Sequence, residues 1–153
     1  MSKLFLDTSY LLGIHDSHDQ WRREALAIQS RLNEAKSLRF SRDLFVSDLV
    51  LVETIQELLK RCGYEAANDA RRWMLNNLTL LRTSPADISA AFEQICSRYG
   101  RGKQRRFGIV DATSVVHMRR QRIGLIVSSD GGFDPVVGVT RVWQNRLDPL
   151  ELL

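Results

Sequence analysis

Short apolar runs alternate with helix-length amphipathic stretches along the whole chain, and this alternation narrows the possible folds more than any other feature. Lys3 to Asp7, Leu44 to Ser47, Leu78 to Leu81, Leu125 to Ser128 and Val139 to Val142 are strand-length and largely apolar, as strands buried on both faces are. A helix opened by His18 or Asp19 carries Trp21, Ala25, Ile28, Leu32 and Ala35 on one face, close to a 3.6-residue period. Asp48 is placed to cap the next helix, whose stripe is Leu51, Ile55, Leu58, Leu59 and Cys62 and which Gly63 ends. Residues 64–78 predict another, with Ala66, Ala70, Trp73 and Met74 inward. Ser84-Pro85 begins a further helix, a capping residue followed by proline in the first turn, with Ile88, Ala91, Phe92, Ile95 and Tyr99 inward. The last runs from about Ile109 to Arg122. Units in this order build a parallel sheet with helices on both faces, joined by right-handed crossovers.

Composition excludes several classes. At 153 residues the chain suits one domain with a sizeable core, and no apolar stretch is long enough to cross a bilayer. The N-terminus enters a strand almost at once, without signal-peptide regions, so a cytoplasmic location is expected. Cys62 and Cys96 are too few for a disulfide framework or a thiolate zinc site, and both fall on apolar helix faces. His15 and His18 lack a third nitrogen or sulfur ligand and are expected at the surface, while His117 is expected on a helix side with no chemistry. Trp21, Trp73 and the residues around Phe92 are expected in the core or at an interface. The net charge of +4 coexists with grouped acids, so positive charge must gather elsewhere, notably in the glycine-bracketed loop 100–108 and at Arg119, Arg120 and Arg122. A negative pocket rimmed by a basic surface suits a polyanion.

The acids occupy consequential places. Asp7 and Asp130 close two of the apolar runs, Asp134 follows Asp130 by four residues, and Glu53 and Asp111 each interrupt an apolar helical pattern. In open α/β sheets, sites form beyond the carboxyl ends of strands, where the strand order reverses. Asp7 could instead cap a helix, and Asp130 or Asp134 could be turn formers. Glu53 follows Leu49, Val50, Leu51 and Val52, which predicts a buried carboxylate in need of a partner. Gathered carboxylates repel one another and are stable around a cation, a shared proton or a basic partner. Hard divalent ions held by such a group suit phosphodiester hydrolysis.

Four segments carry a resemblance: Leu4-Phe5-Leu6-Asp7-Thr8-Ser9, Val46 to Glu53, Ile109-Val110-Asp111-Ala112-Thr113 and Ile126 to Asp134. In order and approximate spacing the chain resembles the PIN-domain nucleases, and most closely the VapC-type toxins of toxin–antitoxin pairs. The resemblance implies an α/β three-layer sandwich whose five-stranded parallel sheet has the order 3-2-1-4-5. It implies a single nuclease domain over residues 1–145, with a C-terminal tail over 146–153. It assigns catalysis to Asp7, Glu53, Asp111 and Asp130, and Mg²⁺ or Mn²⁺ binding to Asp7, Asp111 and Asp130 with Asp134 in support. Thr8, Ser9 and Ser128 become hydroxyl neighbours that orient carboxylates or water. The activity implied is a metal-dependent endoribonuclease leaving 5′-phosphate and 3′-hydroxyl ends. The partners implied are RNA, whether tRNA, rRNA or mRNA, a small antitoxin and a second copy in a homodimer. Gly131-Gly132 stands where the family often has a basic or polar residue.

Arg101, Lys103, Arg105 and Arg106 are the candidate RNA grip, against the alternative of a solvated loop. Arg119, Arg120 and Arg122 are expected as an exposed helix end favoured by the dipole. The competing functions are a stand-alone PIN nuclease acting on DNA or RNA, and a PIN-fold module that binds without cleaving. Aspartyl-phosphate phosphatases are disfavoured, because Asp7-Thr8-Ser9 lacks their second aspartate two positions on.

Overall fold

The computed structural model describes residues 2–100, 107–144 and 150. Its centre is strand β1 (Leu4–Leu6), flanked by β2 (Leu44–Ser47) and β4 (Leu125–Val127). Strand β3 (Thr79–Leu81) lies outside β2 and β5 (Thr140–Val142) outside β4, giving five parallel strands in the expected order β3-β2-β1-β4-β5. Leu4, Phe5 and Leu6 are fully buried, so β1 tolerates no polar side. Each such side chain contributes about 1.5–3 kcal/mol of burial energy, which makes this strand the anchor of the core. Several strands are a residue or two shorter than the sequence suggests. The Asp7 amide still donates to the Val127 carbonyl, one step beyond the end of β1.

Helix α1 (Thr8–His15) follows β1 without a loop and was not anticipated as an element. Then come α2 (Arg22–Glu34), the short α3 (Phe40–Asp43), α4 (Asp48–Cys62) and α5 (Tyr64–Asn77). After β3, α6 (Pro85–Ala90) runs through a π-helical turn (Ala91–Cys96) into α7 (Ser97–Tyr99), and α8 (Ile109–Gln121) precedes β4. Helices α1, α2, α4 and α5 pack among themselves, and α6, the π turn, α7 and α8 form a second group. The chain moves one way from β1 to β3 and then returns across the sheet to β4. Right-handed crossovers therefore put the two groups on opposite faces.

Several helix expectations are corrected. Ser47, not Asp48, caps α4 by accepting the Val50 amide; Asp48 is the first helical residue. The buried stripe of α4 is Val50, Thr54 and Leu58, while Leu59 and Cys62 are exposed. In α5 the inward alanines are Ala67 and Ala70, with Ala67 in place of the expected Ala66. Helix α2 begins at Arg22, because Asp19 spends its carboxylate on the Trp21 amide in a preceding turn. Ser84 does start α6, with a reciprocal box in which Ser84 accepts the Asp87 amide and Asp87 accepts the Ser84 amide. The π turn then breaks the 3.6-residue period: Ala91, Ile95 and Tyr99 stay inside while Phe92 turns to solvent by 67%, and Ile88, in α6 ahead of the turn, is exposed as well. Gly63 does end α4, as expected, and its φ of +87° is one that glycine adopts without strain.

No helix among the described residues is long and apolar enough to cross a membrane. The candidate grip at Arg101, Lys103, Arg105 and Arg106 lies outside the described residues. Within the stretch 146–153 only Leu150 is described, and its side chain is buried in the core.

Candidate active site

The order in which the chain adds strands reverses between β1 and β4, which run parallel, and both strands deliver acids at their carboxyl ends. Asp7 leaves β1 at the N-cap position of α1, and its backbone carbonyl accepts the Leu11 amide. Its side chain caps nothing. That sets aside the bland reading of this residue as a helix cap. Oδ2 instead accepts Ser128 Oγ at 2.6 Å and Ser9 Oγ at 3.2 Å. Ser128, fully buried just past β4, also takes the Asp130 amide on its Oγ at 3.0 Å, and Ser9 takes the Ser129 amide at 3.0 Å. These two hydroxyls stitch the ends of the neighbouring strands together and set the direction of the Asp7 carboxylate.

Asp111 sits in the first turn of α8, where its Oδ2 reaches back to the Gly108 amide at 2.9 Å. Asp130 precedes a 3₁₀ turn (Gly131–Phe133), and its Oδ1 accepts the Gly132 amide at 2.8 Å. A Cβ at Gly132 would stand 3.0 Å from that oxygen, so a side chain there would press on the carboxylate. Glu53 projects from α4 and is exposed, which corrects the expectation of a buried acid. The first turns of α4 carry Val52 into solvent rather than into the core, so this apolar run does not enclose its glutamate.

Asp7, Glu53, Asp111 and Asp130 line one cleft of about 610 Å³ with Thr8, Ser9, Glu57 and Ile109. Glu57, one turn beyond Glu53, was not singled out from the sequence; spacing of four on one helix was the available signal. Burial pushes the Asp7 carboxyl up to about 6, aided by the charges of Asp130 and Glu53 and opposed by the Ser128 hydrogen bond. Asp111 is raised to about 8, again first by burial and then by the Asp7 charge, with Asp130 and Glu53 adding to it. Asp7 and Asp111 therefore hold their protons more tightly than free carboxyls do, first because burial disfavours the charged form and then because neighbouring carboxylates repel it.

Among the described residues, no three His, Cys, Asp or Glu groups already close on one point as an ion's ligands would. The hydrogen bonds explain this openness: Asp130 and Asp111 are each turned toward a backbone amide, and mutual repulsion opposes closer approach. A carboxylate has two oxygens, so an amide that holds one still leaves the group able to ligate. The donors are all oxygen and the electrostatics favour a cation, so the residues fit a hard divalent ion such as Mg²⁺ or Mn²⁺. Thr8 Oγ1 is a further polar atom at the cleft, buried and without a hydrogen-bond partner among the described residues.

Asp134 does not line the cleft. Its two oxygens are taken by Arg141, Nε on Oδ1 at 2.9 Å and Nη2 on Oδ2 at 3.1 Å. Neither Arg141 nor this pairing was foreseen; the available signal was one charge inside the short apolar strand Val139 to Val142.

A second polar group ties the acid-bearing helices together. His117, expected on a helix side, is 1% exposed. Arg120 donates to His117 Nδ1 at 3.1 Å, and arginine has no acceptor, so the ring proton lies on Nε2 and faces Thr83 Oγ1 at 2.9 Å. The Thr83 hydroxyl and amide both donate to Asp48 at the start of α4. Arg120 also pairs with Asp87 at 2.9 Å. Arg119, Arg120 and Arg122 are exposed, as expected of a helix end. His18 is exposed, but His15 is half-buried with its ring edge-on to Trp73, a correction to the surface role expected of both.

The PIN domain family model matches residues 4–138. The 23S rRNA-specific endonuclease VapC20 of Mycobacterium tuberculosis is 30% identical over 132 residues, spanning 85% of this chain and 91% of that protein. A crystal structure of Mycobacterium tuberculosis VapC20, described as a Sarcin-Ricin loop cleaving toxin, superposes with a TM-score of 0.71 at 25% identity, over 88% of this chain and 95% of that one. VapBC2 from Rickettsia felis, solved with a DNA fragment from its promoter, gives a TM-score of 0.65 at 15% identity over 92% and 98%, a likeness of fold alone.

Proposed function

We propose that this chain, which belongs to the PIN domain family, is a VapC-type toxin that hydrolyses RNA phosphodiester bonds with the help of a divalent metal. The observation that carries the reading is the convergence of Asp7, Glu53, Asp111 and Asp130 on one cleft beside the reversal of strand order. Asp7, Asp111 and Asp130 would hold the ion, and Ser9 and Ser128 hold Asp7 in its orientation. Glu53, exposed on the α4 wall, orients the attacking water and takes its proton. When bound, Mg²⁺ or Mn²⁺ supplies Lewis acidity to the phosphate and stabilises the leaving oxygen. Water attacks phosphorus in line as the P–O3′ bond breaks, and the departing 3′ oxygen takes a proton from solvent, which gives a 5′-phosphate and a 3′-hydroxyl.

The relative named for 23S rRNA makes ribosomal RNA the first substrate to assay. The proposed partner is a small antitoxin, and a basic side chain among the carboxylates would satisfy them as a cation does. A homodimer and a cytoplasmic location complete the reading.

The test is cleavage of ribosomal and pooled RNA by the purified chain, with ends identified chemically. EDTA should abolish cleavage and leave the fold intact, and Mg²⁺ or Mn²⁺ should restore it. Asp7→Asn should lower the rate by at least about 100-fold with little loss of stability, since it removes a ligand charge and keeps the shape. Full activity after exhaustive chelation overturns the metal-dependent mechanism. Toxicity of the chain expressed alone, relieved by co-expressing the adjacent gene, tests the partner.

A further inference from the structure

We propose that Arg141 and Asp134 are positioning residues, an ion pair that braces the turn presenting Asp130 to the cleft; this rests on the metal-site reading above. The turn from Ser128 to Asp134 is held at both ends by one guanidinium. Nε and Nη2 of Arg141 grip the two oxygens of Asp134, while Nη1 donates to the Ser128 carbonyl at 3.3 Å. Between these ends stand the Asp130 amide on Ser128 Oγ, the Gly132 amide on Asp130 Oδ1 and the Asp134 amide on the Gly131 carbonyl. The fully buried Phe133 ring, edge-on to Phe107, pins the middle.

Arg141 is itself well placed to act as a strut. It lies on β5 opposite Ile126 of β4, and its side chain is only 13% exposed. The planar fork of an arginine binds both oxygens of a carboxylate and keeps a third donor for the carbonyl; a lysine ammonium offers a point charge without that geometry. The brace also assigns Asp134 a different task from the supporting metal ligand implied by the resemblance. With both oxygens on Arg141 and no place in the cleft lining, Asp134 acts through Asp130 rather than on the ion.

The experiment uses the full chain as wild type, Arg141→Lys, Asp134→Asn and the double variant. Melting temperature, Mn²⁺ affinity by calorimetry, kcat and KM on RNA, and hydrogen exchange at the Gly132 and Phe133 amides are read on each. Arg141→Lys should keep the fold, weaken Mn²⁺ binding or kcat by about 10- to 100-fold and change KM for RNA little, as loss of a support behind a ligand does. Asp134→Asn should do the same, and the double variant should be no worse than either single one, because both remove the same brace. Exchange at Gly132 and Phe133 should quicken in all three, measured without metal.

A lowered melting temperature with unchanged Mn²⁺ affinity and kcat would make the pair merely structural and overturn the proposal. A full loss from Asp134→Asn added on top of Arg141→Lys would make Asp134 a ligand, and also overturn it. If the wild type neither binds Mn²⁺ nor cleaves RNA, the functional reading fails; the brace is then judged on exchange alone and fails if Gly132 and Phe133 are unchanged in the variants.

Discussion

Asp111 and Asp7 show how one side chain can link proton, metal and fold. Their carboxyls stand at about 8 and about 6, far above the ordinary 3.8. A raised folded value means that the native state holds its protons more tightly than the unfolded chain. The stability contributed is complete below 3.8 and is lost as pH rises through 6 and then 8. Metal-free protein should therefore melt progressively lower from pH 5 to pH 9, and Asp111→Asn should remove the upper part of that slope. Melts in EDTA at several pH values check this, and an unchanged slope in the variant would refute it. Protons compete with the ion for the same oxygens, so Mn²⁺ affinity should rise over the same window. His15 has the opposite sign: burial, helped by Arg22, lowers it to about 4, so its contribution fades as pH falls below 6.5.

Helices α4 and α8 bring Glu53 and Asp111 to the cleft, and a chain of polar contacts ties the two helices together. Asp48, Thr83, His117, Arg120 and Asp87 link the start of α4, the segment after β3, the body of α8 and the first turn of α6. Thr83→Val keeps the volume and removes the hydroxyl between Asp48 and His117. The buried ring is then left without an acceptor, which should cost about 1–3 kcal/mol in urea unfolding. The backbone bond from the Thr83 amide to Asp48 survives, so a loss beyond that range would mean that the helices themselves had shifted. A capping change provides the comparison: Ser84→Ala should cost about 1 kcal/mol and leaves the Asp48, Thr83 and His117 groups in place. Activity should suffer more from Thr83→Val than from Ser84→Ala at matched stability, if spacing between α4 and α8 matters to the site.

Over the whole molecule, charge is divided between the acidic cleft and basic segments elsewhere. Arg101, Lys103, Arg105 and Arg106 immediately precede Phe107 and Gly108, which lead into the helix bearing Asp111. Replacing the four by alanine should weaken RNA binding and flatten its salt dependence while leaving Mn²⁺ affinity and cleavage products unchanged. The comparison is made in the Asp7→Asn background across a salt series. Identical slopes would move the search to Arg119, Arg120 and Arg122.

The alternation of apolar runs and amphipathic stretches was enough to place the five strands and the longer helices, though not α1 or α3, because a strand buried on both faces must be apolar and a packed helix must carry a stripe. The positions of Asp7 and Asp130 were legible for the same reason: an acid that ends a buried strand has nowhere to go but the sheet's edge. Resemblance, not periodicity, supplied the strand order and the role of Glu53. Tertiary structure decided the surroundings. Ser128 meets Asp7 across 121 positions and His117 meets Thr83 across 34, and no local pattern encodes such contacts. The π turn that exposes Phe92 and the exposure of Glu53 depend on how helices overhang the sheet, which a 3.6-residue period cannot register. Asp134 shows the division most plainly: its sequence position matches an acid beside a metal ligand, and only the approach of Arg141 from the next strand turns it away from the cleft.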